Sequence, residues 1–250
     1  MPGTRRFSDY DPFAWLYHEY WGHEFHAEIL PLLDKLLLKR LPRKSDILDL
    51  CCGDGRIAHQ LVRNGYRVTG LDGSERMLAF AKQKTPQAEF LLADARSFRL
   101  PERFHAAICT FDSLNHIMKT EELRAVFVNV FAALRPGAYF VFDLNREEGY
   151  KGIWARTFAT VERDAVSIAR GAYNQSKRLA TCDITLFRLQ ERWERSDFRL
   201  TQRCHTHSEV TKALSDAGFS YEVLDAAKAG MQGDIGSGRD IYFARKTLRP

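Results

Sequence analysis

Ile47-Leu48-Asp49-Leu50, a short apolar strand, runs without a spacer into a turn holding Gly53 and Gly55 and then into a helix, and this junction constrains the fold most. A buried strand that feeds straight into a helix packs that helix back over its own sheet, which is how a parallel βαβ unit begins. Ile57, Leu61 and Val62 give the helix one apolar face, and Gly65 is placed to end it. The period then repeats. Residues 66–71 read as a second strand, Ser74 opens a helix with Met77, Leu78 and Ala81 inward, and Phe90-Leu91-Leu92 and residues 104–109 supply two more strands. Thr120 is placed to cap a helix bearing Leu123, Phe127, Val130, Phe131 and Leu134, which Pro136-Gly137 should stop before a fifth strand, 138–142. Strands and helices alternating at this pitch predict an α/β fold, a doubly wound and mostly parallel sheet of seven strands with helices on both faces.

The flanks divide the chain further. Residues 1–45 read as a helical lid, with Asp11-Pro12 as the start signal, Asp11 as N-cap, and Pro31 expected to kink or divide the segment before Pro42 ends it. Residues 46–147 form the cofactor-binding α/β core. Residues 148–205 switch to alternation (Val166, Ile168; Leu179, Cys182, Ile184, Leu186), with a hairpin turn at Tyr173-Asn174-Gln175-Ser176, and predict a small antiparallel β insertion roofing the substrate. Residues 206–250 return to the core with a helix, a Gly218 cap and two closing strands.

Composition removes several classes. A chain of 250 residues suits one α/β domain with a small appendage. No apolar run approaches the roughly 20 residues of a membrane helix, and the opening Met-Pro-Gly-Thr-Arg-Arg-Phe lacks the apolar stretch of a signal peptide, so a cytoplasmic protein is expected. Five cysteines, two of them adjacent, do not make a disulfide framework. Cys204-His205-Thr206-His207 has no second ligand pair at zinc-site spacing, so no metal is expected. The net charge of +5 leaves nucleic acid possible, but Lys and Arg are scattered rather than run together, as on a solvated surface, so the charge decides nothing by itself.

Two cofactors compete for the glycine turn. Gly53-Asp54-Gly55-Arg56-Ile57-Ala58 fits the dinucleotide pattern G-x-G-x-x-G/A, with Asp72 near the ribose position. Asp49 and Asp54, however, put carboxylates where a pyrophosphate needs a positive helix end. A ligand bearing an ammonium and a positive sulfur has the opposite requirement. Asp72 and Asp94 fall at the next two strand ends, one βα unit apart, although aspartate before a helix also serves as a cap.

With these residues in place the chain resembles the class I, Rossmann-like S-adenosylmethionine-dependent methyltransferases, in particular their small-molecule members. Residues 47–56 resemble the first motif, with Cys51 where the family usually has glycine; Val68-Thr69-Gly70-Leu71-Asp72-Gly73-Ser74 resembles the second; Leu92-Ala93-Asp94-Ala95 the third; and Leu134-Arg135-Pro136-Gly137-Ala138 the loop before the fifth strand. The resemblance implies S-adenosyl-L-methionine as cofactor. It is then bound by Asp49, Cys51, Gly53 and Gly55 at the turn, by Asp72 (ribose), Gly73 and Met77 at the second strand end, by Asp94 (adenine amino group) and Ala95 at the third, and by Cys109 at the fourth. The aromatics at the front, Tyr10-Asp11-Pro12-Phe13-Ala14 through Tyr17, resemble the opening of small-molecule members, where the segment closes the methionine end of the pocket. Tyr10, Tyr17 and Trp21 are the pocket candidates, since aromatic faces attract a sulfonium; packing into the core is the competing use.

The segment after the fourth strand, Cys109-Thr110-Phe111-Asp112-Ser113-Leu114-Asn115-His116, faces the transferred methyl in this fold. It lacks the Asn/Asp-Pro-Pro-Tyr/Phe signature of base-amino methylation and the Pro-Cys of cytosine methylation, which argues against nucleic acid. His116 is the candidate base, with simple packing as the competing role. Trp154, Arg156, Arg203 and His205 are candidate substrate contacts, for which a surface role is the alternative. The expected function is methyl transfer to N or O of a small-molecule acceptor by a monomer or homodimer. RNA methylation, nicotinamide-dependent oxidation and non-catalytic S-adenosylmethionine binding are the alternatives.

Overall fold

The computed structural model describes residues 8–247. Residues 1–7, on which the signal-peptide reading rests, lie outside the described residues. The strands are β1 (Asp46–Leu50), β2 (Arg67–Asp72), β3 (Glu89–Leu92), β4 (Phe104–Cys109), β5 (Leu134–Asn145), β6 (Thr157–Val161), β7 (Ala165–Asn174), β8 (Leu179–Leu189), β9 (Trp193–Arg203), β10 (Phe219–Asp225) and β11 (Arg239–Lys246). The helices used below are α1 (Ala14–Leu16), α2 (Gly22–Leu36), α3 (Arg56–Arg63), α4 (Glu75–Lys84), α5 (Thr120–Ala133), α6 (Glu147–Gly152) and α7 (His207–Ala217).

Seven strands form one sheet in the order β10-β11-β5-β4-β1-β2-β3. β1 to β5 are parallel, and β11 runs antiparallel to both of its neighbours. The order reverses between β1 and β4, so the crevice for a ligand opens at the carboxyl ends of those strands. Period-2 alternation splits the apolar side chains between two layers. Leu48, Leu50, Ala107, Cys109, Phe140 and Phe142 face α5 and α7, through Phe127, Val130 and Leu214. Ile47, Ala106, Ile108 and Val141 face α2 and α3, through Phe25, Ile29 and Leu61. β6 to β9 form a separate four-stranded antiparallel sheet. Ala169, Cys182, Ile184, Leu186 and Leu200 on its inner face pack against Phe13, Ala14 and Leu16 of the N-terminal segment.

Several local expectations fail for tertiary reasons. Asp11 does not cap the first helix, whose N-cap is Phe13 with no side-chain bond. Its carboxylate instead accepts from Ser74 Oγ at 2.6 Å and Arg76 N at 3.3 Å, at the start of α4. A five-residue π-helical turn, Tyr17–Trp21, precedes α2. Pro31 neither divides nor ends α2; burial of Phe25, Ile29, Leu32 and Leu33 against the sheet outweighs the one hydrogen bond that proline removes. Thr120 begins α5 without capping it. Pro136-Gly137 does not precede the fifth strand but lies inside it, at a register shift between the Phe104 and Ala106 pairings.

Candidate active site

The floor is built by the turns after β1, β2 and β3. Asp49 is 2% exposed, and its Oδ2 has no hydrogen-bond partner. Burial, and next the neighbouring Asp72 charge, push its pKa up to about 8, despite a bond from the Ala58 amide at the start of α3. Asp72 Oδ2 accepts from Gly53 N at 2.9 Å and Oδ1 from Ser74 N at 2.8 Å, and burial lifts its pKa to about 6. Cys51 has φ +56°, a left-handed backbone that costs an L-residue about 1–2 kcal/mol. Met77, Gly73 and Ala95 complete the floor. Asp94 also lines it, with its carboxylate held by the Arg96 guanidinium at 2.7 Å and the Arg96 amide at 2.8 Å.

The N-terminal segment closes the front. The π turn puts Tyr17 and Trp21 on the same side as Phe13, and all three line a cavity of about 750 Å³. Asp54 does not line it. The Asp54 carboxylate, 1% exposed, takes His18 Nδ1 at 2.7 Å and Lys84 Nζ at 3.1 Å and ion-pairs with Arg56, so it ties the front segment to the glycine turn and α4.

Beyond the floor lies a polar cluster at the end of β4. Phe111 and Asp112 are both left-handed, with φ +64° and +45°. Asp143 on β5 holds them there, accepting from Phe111 N at 2.7 Å and Asp112 N at 2.8 Å. The buried Arg239 guanidinium bridges Asp143 and Asp112, reaching Asp112 Oδ1 at 2.8 Å. Burial alone would lower the Arg239 pKa, but the two carboxylates hold it above the ordinary arginine value. His116 Nδ1 is 2.9 Å from the Thr201 carbonyl, and its Nε2 is 2.6 Å from the Tyr10 hydroxyl and 3.0 Å from Gln202 Nε2. A carbonyl only accepts, so Nδ1 carries the hydrogen and Nε2 is left with its lone pair. Burial lowers the His116 pKa, which keeps the ring neutral at physiological pH.

The four-stranded sheet and the turn before it form the roof. Trp154 and Arg156 line the cavity, joined by Phe158, Leu200 and Gln202. Gly171 on β7 allows this: a Cβ there would lie 1.8 Å from the Trp154 carbonyl oxygen.

Four candidates do not reach the cavity. Gly55 packs on α4, where an added Cβ would stand 2.8 Å from that of Ala81. Cys109 is fully buried behind Cys51 because its side chain falls on the α5 face of the sheet. Arg203 turns away to Met118 O at 3.1 Å and Glu209 at 3.1 Å. The His205 ring is 2.8 Å from Ile117 O, with burial lowering its pKa to about 4. The last two therefore pin the loop after His116 to the end of β9. Asp112, Gln202 and Arg239 were missed. Asp112 lies past the end of β4, inside the segment 109–116 that the sequence reading set against the transferred methyl, whereas Gln202 and Arg239 carry no local signal.

The floor itself selects a ligand. Asp49 and Asp72 disfavour a pyrophosphate, while the unpartnered Asp49 oxygen calls for a cationic donor. The comparisons agree with a ligand of that charge. Residues 47–137 match the family model "Methyltransferase domain". The chain is 29% identical over 244 residues to the putative methyltransferase YqeM of Bacillus subtilis (strain 168), covering 95% of this chain and 97% of that protein. It is 28% identical to a Streptomyces venezuelae dTDP-3-amino-3,4,6-trideoxy-alpha-D-glucopyranose N,N-dimethyltransferase, over 84% of this chain and 89% of that one. A solved S-adenosylmethionine-dependent methyltransferase from Clostridium acetobutylicum ATCC 824 has a TM-score of 0.77 at 20% identity, covering 96% of this chain and 100% of the other. The likeness to YqeM and to the solved structure runs over nearly the whole chain, floor, front segment and roof alike, and the protein is an S-adenosylmethionine-dependent methyltransferase with the class I α/β fold and S-adenosylmethionine as its cofactor.

Proposed function

We propose that the protein methylates an amine nitrogen of a small molecule, with an amino sugar as the leading acceptor class. The carrying observation is the lone pair of His116 Nε2, fixed by the Thr201 carbonyl and set beside the Tyr10 hydroxyl at the cavity wall. Amines reach an enzyme largely as ammonium ions and must shed a proton before or after they react, which a neutral imidazole can take. The amino-sugar N,N-dimethyltransferase among the relatives supports the same class.

When bound, S-adenosylmethionine would supply an electrophilic methyl on a positive sulfur, with S-adenosylhomocysteine as the leaving group. Asp49 is assigned to the ammonium of its methionine part, Asp72 to the ribose hydroxyls, and Asp94 to the adenine amino group once Arg96 shares it. Tyr17 and Trp21 are assigned to the sulfonium, which aromatic faces attract by about 0.5–2 kcal/mol each. Residues 8–21 act as the lid and residues 157–203 as the roof, so that water is excluded and the acceptor aligned. The acceptor's surplus proton goes to His116 Nε2, directly or through Tyr10, whose oxygen takes it while its own proton passes to Nε2.

No helix among the described residues is long and apolar enough to cross a membrane, and we place the enzyme in the cytoplasm as a monomer or homodimer. The test is transfer of label from S-adenosylmethionine to nucleotide-linked amino sugars and to matched sugars carrying hydroxyl in place of amine. Labelling of the amino set alone is expected; labelling of the hydroxyl set alone refutes the nitrogen assignment.

A further inference from the structure

Two consecutive residues of β9 grip both nitrogens of one imidazole. The Thr201 carbonyl takes the Nδ1 hydrogen of His116 at 2.9 Å, and Gln202 Nε2 lies 3.0 Å from the other nitrogen. Gln202 is 1% exposed, and its amide has one reasonable orientation. Its Oε1 accepts from the Tyr150 hydroxyl at 2.8 Å, and its Nε2 stands 2.5 Å from Asp112 Oδ2. The reverse orientation would set an amide oxygen against a carboxylate with no proton between them. One amide hydrogen therefore goes to Asp112, and the second points at His116 Nε2. Arg239 holds Asp112 from behind at 2.8 Å. The polar chain thus runs from β11 through the β4 loop and the roof to the ring.

We propose that Gln202 is a positioning residue which, with the Thr201 carbonyl, fixes His116 as its Nδ1–H tautomer and restrains proton uptake at Nε2. A hydrogen bond donated to the neutral lone pair favours the neutral ring, because protonation would set two N–H groups against each other. The groups facing the ring are Asp112 from its own loop, which favours protonation, Tyr10 from the front segment, which competes for the same lone pair, and Gln202 and the Thr201 carbonyl from β9. In turnover the restraint makes His116 a weak base that gives its proton back readily. This role rests on His116 as the proton acceptor of the proposed reaction.

The test is nitrogen-15 NMR of the histidine side chains in the full chain with S-adenosylhomocysteine, with His116→Asn for assignment. Wild type should show hydrogen on Nδ1, none on Nε2, and a titration below the ordinary histidine value. In Gln202→Met, of similar length but with no donor, the midpoint should rise by about one pH unit. A wild-type ring carrying hydrogen on Nε2 overturns the proposal, and this measurement stands even if the variant does not fold. An unmoved midpoint in a Gln202→Met protein that still binds S-adenosylhomocysteine also overturns it. A fully active His116→Asn with the wild-type pH profile overturns the base reading, and the proposal's catalytic role with it. An inactive His116→Asn beside an unmoved Gln202→Met titration removes the proposal alone.

Discussion

The Tyr10 hydroxyl stands 2.6 Å from Nε2 of His116, across 106 residues of sequence. Either partner alone would be an ordinary half-buried side chain. Together they put a hydroxyl proton and a basic ring nitrogen at the wall between floor and roof.

His116→Asn should lower kcat for an amine acceptor by about a hundredfold or more, and Tyr10→Phe by less, with S-adenosylhomocysteine affinity unchanged in both. Because burial lowers the folded His116 pKa, the neutral base is present at pH 7 and kcat should fall at pH values below the ordinary histidine range. Methyl-transfer rates across pH check this, and wild-type rates from His116→Asn would remove it from the reaction.

With Asp49 assigned to the ammonium of the cofactor, binding should depend on pH. The folded Asp49 pKa, about 8, lies above the unfolded value of roughly 4. The folded state therefore holds an extra proton between those values, and the stabilisation from this group, full below about pH 4, is lost as pH rises to 8. Asp49→Asn should flatten that decline in thermal melts. An ammonium ligand favours the ionised carboxylate, so wild-type S-adenosylhomocysteine affinity should rise from pH 6 to 8, and the Asn variant should lose this rise. Calorimetry at three pH values decides, and parallel profiles for the two proteins would separate Asp49 from the ligand.

Asp72→Ala should weaken S-adenosylhomocysteine binding about tenfold, or ~1.5 kcal/mol, for the loss of a charged hydrogen-bond acceptor. Isothermal calorimetry measures it; unchanged affinity would cancel the ribose assignment.

Cys51→Gly tests the left-handed turn. Relief of about 1–2 kcal/mol of backbone strain is set against roughly 0.5–1 kcal/mol of extra chain entropy, so a net gain near ~0.5 kcal/mol is expected. Denaturant unfolding should show it as a small rise in midpoint. A destabilised variant would mean that the Cys51 side chain contributes more by packing than its backbone costs.

Gly171→Ala should act on the acceptor and spare the cofactor. The new Cβ cannot share space with the Trp154 carbonyl, so the turn carrying Trp154 and Arg156 must move. A misplaced roof misaligns the acceptor, so KM should rise about fivefold or more while S-adenosylhomocysteine affinity holds. Equal losses in both would assign Gly171 to stability of the whole domain.

Much of the fold was legible because it is written in neighbouring residues. The strand run Ile47–Leu50, the glycines after it and the acids at successive strand ends fix period, turn and floor within short windows. Asp49 and Asp72 could be placed on that basis, since both stand at the carboxyl ends of neighbouring parallel strands, outside which the crevice opens. The errors have the same origin. Cys109 also ends a strand, but its side chain falls on the α5 face. Asp11 reads as a local cap and serves a distant helix. Arg203 and His205 read as roof residues and instead fasten a loop.

The sequence by itself determined the α/β layering, the glycine turn and an acidic floor suited to a cationic ligand, because hydrophobic period and backbone conformation depend on residues a few places apart. Tertiary structure decided which way each side chain faces and what holds it. Gln202 reaches His116 across 86 residues, and Arg239 reaches Asp112 across 127. No local pattern encodes such a meeting: the tautomer of His116 is set by where β9 and the β4 loop come together in the folded chain.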